Sequence, residues 1–155
     1  MTRHLPVAVF CAAVLLSTAQ CSHDPSPSVA QTQQFQCMLA NIYHEARGEG
    51  VEGMQAVALV TLNRAAQNDT TICDVVYKRK QFSWTNSVKH VRQKMTDNYD
   101  TVHRVASAAV AGVIVDITSG ATHYHTVSVK PKWAKTLDKT GRIGQHIFYR
   151  KKPNG

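Results

Sequence analysis

The sequence predicts an α+β domain, mostly helical, with a short β element toward its C-terminal end. Apolar residues recur with the helical period of about 3.6 residues over three separate stretches. Two later runs are rich in the Thr, His, Tyr and Val that favour strands. The chain has 155 residues, the length of one domain rather than two.

The first helix is predicted over Phe35–Ala46, where residues 35, 38, 39, 42, 43 and 46 are apolar. Gly48 and Gly50 break it. Val51–Ala66 reads as the second helix, with Met54, Val57, Ala58, Thr61 and Leu62 on one face. Thr70 or Thr71 can cap a short helix through Asp74–Tyr77. Asp100–Val115 forms the third long pattern, with Val102, Val105, Ala109 and Val113 spaced for burial. Beyond Gly120, Thr122–Val129 and His146–Tyr149 are the β-prone runs, closed by the basic tail Arg150-Lys151-Lys152.

Hydrophobic residues make up 43% of the chain and charged residues 18%, enough apolar matter to fold rather than stay disordered. No run reaches the ~18–20 apolar residues of a membrane span, and no internal repeat is present. A coiled coil, a collagen-like repeat and a polytopic membrane protein are excluded. The net charge is +8.

Arg3 precedes an uncharged stretch from Leu5 to Ala19, and Ser17-Thr18-Ala19 sets small residues where signal peptidase needs them. Residues 1–19 are therefore read as a signal peptide, with a weak N-terminal membrane anchor as the alternative. Residues 20–34 are read as a Ser/Pro/Gln linker, and 35–152 as the folded domain. Cys21 follows the apolar stretch and suggests a lipid tether, although Gln20 stands where a lipobox wants a small residue. Either route takes the domain out of the cytoplasm, to the periplasm or cell envelope.

Cys11 leaves with the signal, so the domain keeps Cys37 and Cys73. In an oxidising compartment the default is a Cys37–Cys73 disulfide, the alternative being two separate buried thiols. For an exported protein the basic surplus points to anionic envelope polymers or a membrane surface, not nucleic acid.

The densest chemical cluster is Tyr43-His44-Glu45-Ala46-Arg47-Gly48-Glu49. Glu45 stands at the C-terminal end of a largely apolar helix, where desolvation and the helix dipole both raise a carboxyl pKa. A general acid needs that preparation. The plainer possibility is a solvated Glu45 paired with Arg47.

His123 and His125 share one face of a strand. They could join a third ligand, His44, His146 or an Asp, around zinc, or they could bind substrate through hydrogen bonds. No H-E-x-x-H motif, G-x-S-x-G elbow or nucleotide-binding Gly-rich loop is present. Gln81-Phe82-Ser83-Trp84 and Lys132-Trp133-Ala134 set aromatics beside polar groups, which suits sugar stacking and core packing equally.

Cys37 followed by Asn41-Ile42-Tyr43-His44-Glu45-Ala46-Arg47-Gly48-Glu49 resembles the SleB/CwlJ-type cell wall hydrolase family, the spore cortex-lytic enzymes and their relatives. So do Glu52-Gly53, Ala56-Val57-Ala58, Leu62-Asn63-Arg64, Cys73-Asp74-Val75-Val76-Tyr77 and Gln81-Phe82-Ser83-Trp84. Gly120-Ala121-Thr122-His123-Tyr124-His125, Pro131 with Trp133-Ala134, and Arg142-Ile143-Gly144 with His146, Phe148 and Tyr149 complete the match over roughly residues 36–150.

The resemblance implies a lysozyme-like, lytic-transglycosylase-like fold and cleavage of the MurNAc-β-1,4-GlcNAc bond of peptidoglycan by one essential glutamate. That glutamate falls on Glu45, with Glu49 as second choice. A lytic transglycosylase is favoured over a hydrolytic muramidase. A zinc-dependent N-acetylmuramoyl-L-alanine amidase and a wall-binding module without activity stay open beside them. His44, Gln81, Ser83, Trp84, His123, Tyr124 and His125 are assigned to the sugar groove. A monomer without metal or cofactor is expected, and a Gram-negative envelope enzyme or a phage lysis protein fits better than a spore enzyme.

Overall fold

The computed structural model describes residues 28–86 and 98–152. Residues 1–19, read as a signal peptide, Cys21 and the first part of the stretch read as linker lie outside them. Among the described residues, four α-helices and a three-stranded antiparallel sheet make up the fold.

Helix α1 spans Val29–Ala46 and so begins inside the stretch read as linker. The reason is local. Ser28 Oγ accepts from the Gln31 backbone N–H (3.2 Å) while Gln31 Oε1 accepts from Ser28 N–H (2.9 Å), a capping box that satisfies two end groups at once. The helix buries Met38, Leu39, Ile42, Tyr43 and Ala46 as one stripe.

Helix α2, Val51–Gln67, follows the Gly48–Gly50 break and packs Met54, Val57 and Ala58 against that stripe. Buried Asn41 Nδ2 donates to Thr61 Oγ1 at 2.9 Å and ties the two helices together through the core. Helix α3, Ile72–Tyr77, is capped by Thr71, whose partner in a second capping box is Asp74.

Helix α4, Tyr99–Val110, closes the core with Val102, Val105, Ala106 and Ala109. It stops five residues short of the expected Val115. Gly112 adopts φ +70° and turns the chain away, which leaves Val113, expected in the core, 73% exposed. At the other end Asn98 Nδ2 donates to Arg47 O (2.7 Å), fixing the start of α4 against the end of α1.

Strands β1 (His123–Thr126), β2 (Asp138–Ile143) and β3 (His146–Arg150) pair in the order β1-β3-β2. The registers His123↔Tyr149 and Tyr124↔Phe148 set Tyr124 and Phe148 on the face turned toward α2. There Ala56, Val60, Ala121 and Phe148 form a second core cluster. Strand β1 is half the length expected, because its partner β3 has only five residues. A third cluster, Cys37, Val76 and Phe82, seats α3 and the following 3₁₀ turn Ser83–Asn86 on α1. The Cys37–Cys73 disulfide bridges α1 and α3 there, with Cα atoms 5.3 Å apart.

Candidate active site

Glu45 is the penultimate residue of α1 and follows the buried run Asn41-Ile42-Tyr43 by half a turn. Its helix neighbours face the core, so its own side chain leaves the helix between α2, the 81–84 segment and β1. It is half-buried at a hollow of about 140 Å³ lined by Glu45, Arg64, Gln81, Phe82, Ser83 and Tyr124.

The Tyr124 hydroxyl donates to Glu45 Oε2 at 2.8 Å. That reach depends on how β1 is held. Asn63 Nδ2 donates to Ala121 O (3.0 Å) and Arg64 Nε donates to Thr122 O, so the end of α2 clamps the backbone just ahead of Tyr124. Asp116 accepts from the backbone N–H groups of Thr118 (2.7 Å) and Gly120 (2.8 Å) and shapes the loop leading in.

Burial pushes the Glu45 carboxyl above its ordinary pKa. The Tyr124 hydroxyl and the Arg64 guanidinium both pull it back, since each favours the charged form, but desolvation prevails. The Trp84 indole N–H is near enough to pull the same way, yet it is buried and makes no hydrogen bond among the described residues. Burial, together with the neighbouring Glu45 charge that accepts its proton, raises Tyr124 well above the usual phenol value and keeps it a donor.

The remaining expected site residues divide. Gln81 and Ser83 line the hollow beside Glu45. His44 lies stacked on Trp84, centroids 4.3 Å apart, and forms an aromatic wall next to it. His123 and His125 do share a face, but it is the opposite face of β1 from Tyr124. There both pack on Trp133, and His125 Nε2 meets the Tyr149 hydroxyl at 3.0 Å.

Among the described residues no third zinc ligand joins them. His44 is on Trp84, and His146 packs edge-on against Tyr124 on the inner face. No group of three metal-binding side chains assembles among the described residues. Glu49, the second catalytic choice, is engaged elsewhere. Its Oε2 accepts from the Gln145 backbone N–H (3.2 Å) at the β2–β3 turn.

Arg64 belongs to the site although the sequence motifs alone assign it no role. It continues the buried α2 series Met54, Val57, Thr61 at the same spacing. A charged side chain on an apolar stripe is the signal that could have marked it.

The cell wall hydrolase family model matches residues 48–149. The chain belongs to that family. Glu45 lies three residues ahead of the matched span. This cell wall hydrolase domain is 30% identical over 125 residues to a spore cortex-lytic enzyme of Bacillus cereus, covering 79% of this chain and 46% of that protein. It is 32% identical over 127 residues to the spore cortex-lytic enzyme of Halalkalibacterium halodurans, covering 79% and 36%. The chain thus spans less than half the length of these curated relatives. Among solved structures, the catalytic domain of the Bacillus cereus SleB protein superposes with TM-score 0.64 at 28% identity, over 81% of this chain and 94% of that one. The catalytic domain of the germination-specific lytic transglycosylase SleB from Bacillus anthracis gives 0.66 at 28% identity, over 81% and 100%. The SleB-type fold expected from the motifs is the fold of this domain.

Proposed function

We propose that this domain cleaves the MurNAc-β-1,4-GlcNAc bond of peptidoglycan as a lytic transglycosylase, with Glu45 as general acid and then general base. The observation that carries the reading is a single desolvated carboxyl, Glu45, opening on a hollow whose described lining holds no second carboxylate. A retaining glycosidase sets two carboxyls about 5–5.5 Å apart, and an inverting one about 6.5–9.5 Å. Glu49 is not part of that lining, and its carboxylate is engaged by the Gln145 backbone N–H at the β2–β3 turn.

Burial raises the Glu45 pKa and so favours the protonated form from which a general acid starts. Glu45 gives its proton to the glycosidic oxygen as the C1–O bond breaks and oxocarbenium character grows on the muramyl ring. The carboxylate left behind is stabilised by the Tyr124 hydroxyl and Arg64, which makes the donation easier. The muramyl C6 hydroxyl then bonds to C1 and its proton goes to the Glu45 carboxylate. The 1,6-anhydro ring closes without water and Glu45 is protonated again.

His44, Trp84, Gln81 and Ser83 give this reading a sugar-binding wall, since aromatic faces and amide or hydroxyl groups suit pyranose rings. The envelope is then the place of action. The uncharged Leu5–Ala19 stretch and the Cys37–Cys73 bridge agree with export to an oxidising compartment.

Glu45→Gln tests the assignment. Release of soluble fragments from purified sacculi should fall on the order of 10²–10⁴-fold, the usual contribution of general acid–base catalysis, with the melting temperature unimpaired. Wild-type turnover in that variant would overturn the reading.

A further inference from the structure

The hollow at Glu45 continues. Arg64 and Gln81 wall it on one side and also wall a second hollow of about 160 Å³, which reaches Lys78, Thr122, His123 and Lys151. Three permanent cations, Arg64, Lys78 and Lys151, border that second hollow, and its described lining includes no carboxylate. A third hollow of about 250 Å³ opens from the same two shared residues and does contain Asp74. That carboxylate is taken up by Thr70 and Thr71.

Arg64 is the fixed member of the trio. Its Nε is held by Thr122 O and its guanidinium carbon lies 5.6 Å over the Phe82 ring, while Nη1 is buried with no hydrogen-bond partner among the described residues. A half-buried guanidinium is weakly hydrated, and the part of it that borders the hollow suits a carboxylate. Lys78 and Lys151 are exposed and free to close on an anion. Burial first, then Arg64 and Lys151, hold the His123 pKa below the ordinary histidine value.

In intact peptidoglycan the muramyl lactyl carboxyl is taken up in the amide to the stem, so the disaccharide unit itself carries no charge and a groove for the glycan alone has no use for three cations. The charge of peptidoglycan resides on the carboxylates of its peptide stems. We propose that the hollow bounded by Arg64, Lys78 and Lys151 binds a stem-peptide carboxylate on the muramyl unit, so that the domain selects stem-bearing glycan. This assignment rests on the glycan-cleaving reading of Glu45.

The test compares glycan strands carrying their stems with the same strands after conversion of the stem carboxylates to neutral amides, using the wild-type protein and the exposed-site double variant Lys78→Met/Lys151→Met. For the wild type, KM should be lower on the strands with free stem carboxylates. The double variant should lose about tenfold of that preference, the sum expected of two exposed charge contacts, with kcat retained. An equal change on both substrates, or none on either, overturns the proposal.

A second readout needs no turnover. A soluble acidic stem peptide titrated against the Glu45→Gln protein should perturb the Thr122 and His123 amide resonances, and the two Lys→Met substitutions should abolish that response. Inorganic phosphate producing the same response at the same concentration would mark a general anion patch and overturn the assignment. Absent cleavage of every substrate would instead refute the parent reading, while the peptide titration would still decide the subsite.

Discussion

At the scale of the residue, Glu45 combines two opposed influences, and each can be removed separately. Burial raises its pKa, whereas the Tyr124 hydroxyl at 2.8 Å lowers it. The Tyr124 hydroxyl stabilises the carboxylate, so its removal must move the Glu45 pKa further up. Activity that needs protonated Glu45 is lost as pH rises through that pKa. In Tyr124→Phe the alkaline limb of the kcat/KM–pH profile should therefore shift to higher pH, while the rate at the optimum falls. An unmoved limb would mean that Glu45 is not the titrating acid. Glu45 stands out in the sequence as a candidate through the family motif around it, since a carboxylate at the end of an apolar helix is by itself equally consistent with a solvated side chain. The opposition of Tyr124 to it does not stand out, since two residues 79 positions apart meet only through the tertiary fold. The same limit applies to His123 and His125. Their shared face follows from strand alternation, but which side of the sheet faces Glu45 depends on the packing of Phe148 and Tyr124 onto α2.

At the scale of the element, the helices are readable to within a turn wherever an apolar stripe or a cap fixes them. The exceptions have local causes. Helix α1 starts early because Ser28 and Gln31 form a capping box within a Pro- and Ser-rich context. Helix α4 ends early at a glycine that the valine spacing disguises. Strand β2 has no signature in the sequence. Asp-Lys-Thr-Gly-Arg-Ile lacks apolar alternation, and its strand character comes from pairing with β3 across a bulge between Lys139 and Gly141. The β2–β3 turn depends on one residue. Gly144 has φ +55°, and a methyl group on it would overlap Glu49 Oε2, the acceptor of the Gln145 N–H. Gly144→Ala should destabilise the domain by about 1–3 kcal/mol. Gly141→Ala, with open space around it, should change stability by under about 1 kcal/mol. Urea unfolding of the two variants checks the contrast, and equal stabilities would deny the Glu49–turn contact its structural role.

At the scale of the whole molecule, the disulfide connects the helix that carries Glu45 to α3, which leads into the segment with Phe82, Ser83 and Trp84. The pairing of Cys37 with Cys73 is legible from cysteine number and export signals. The sheet order β1-β3-β2 is not, because nothing local in the sequence encodes which strand lies in the middle. Closing a loop with a sequence separation of 36 stabilises a fold by about 3–4 kcal/mol on chain-entropy grounds. Cys37→Ser/Cys73→Ser should lose roughly that amount, and in the unreduced, denatured wild type Cys37 and Cys73 should resist thiol labelling. Two reactive thiols at those positions would contradict the bridge.

The central claim, one glutamate cutting glycan without water, is tested most directly by mass spectrometry of the soluble fragments released from sacculi, before and after borohydride reduction. Muramyl ends that resist reduction, produced by the wild type and lost in Glu45→Gln, are the predicted result. Reducible muramic ends would mean hydrolysis by an activated water, and free stem peptides would mean that the bond cut is not glycosidic at all.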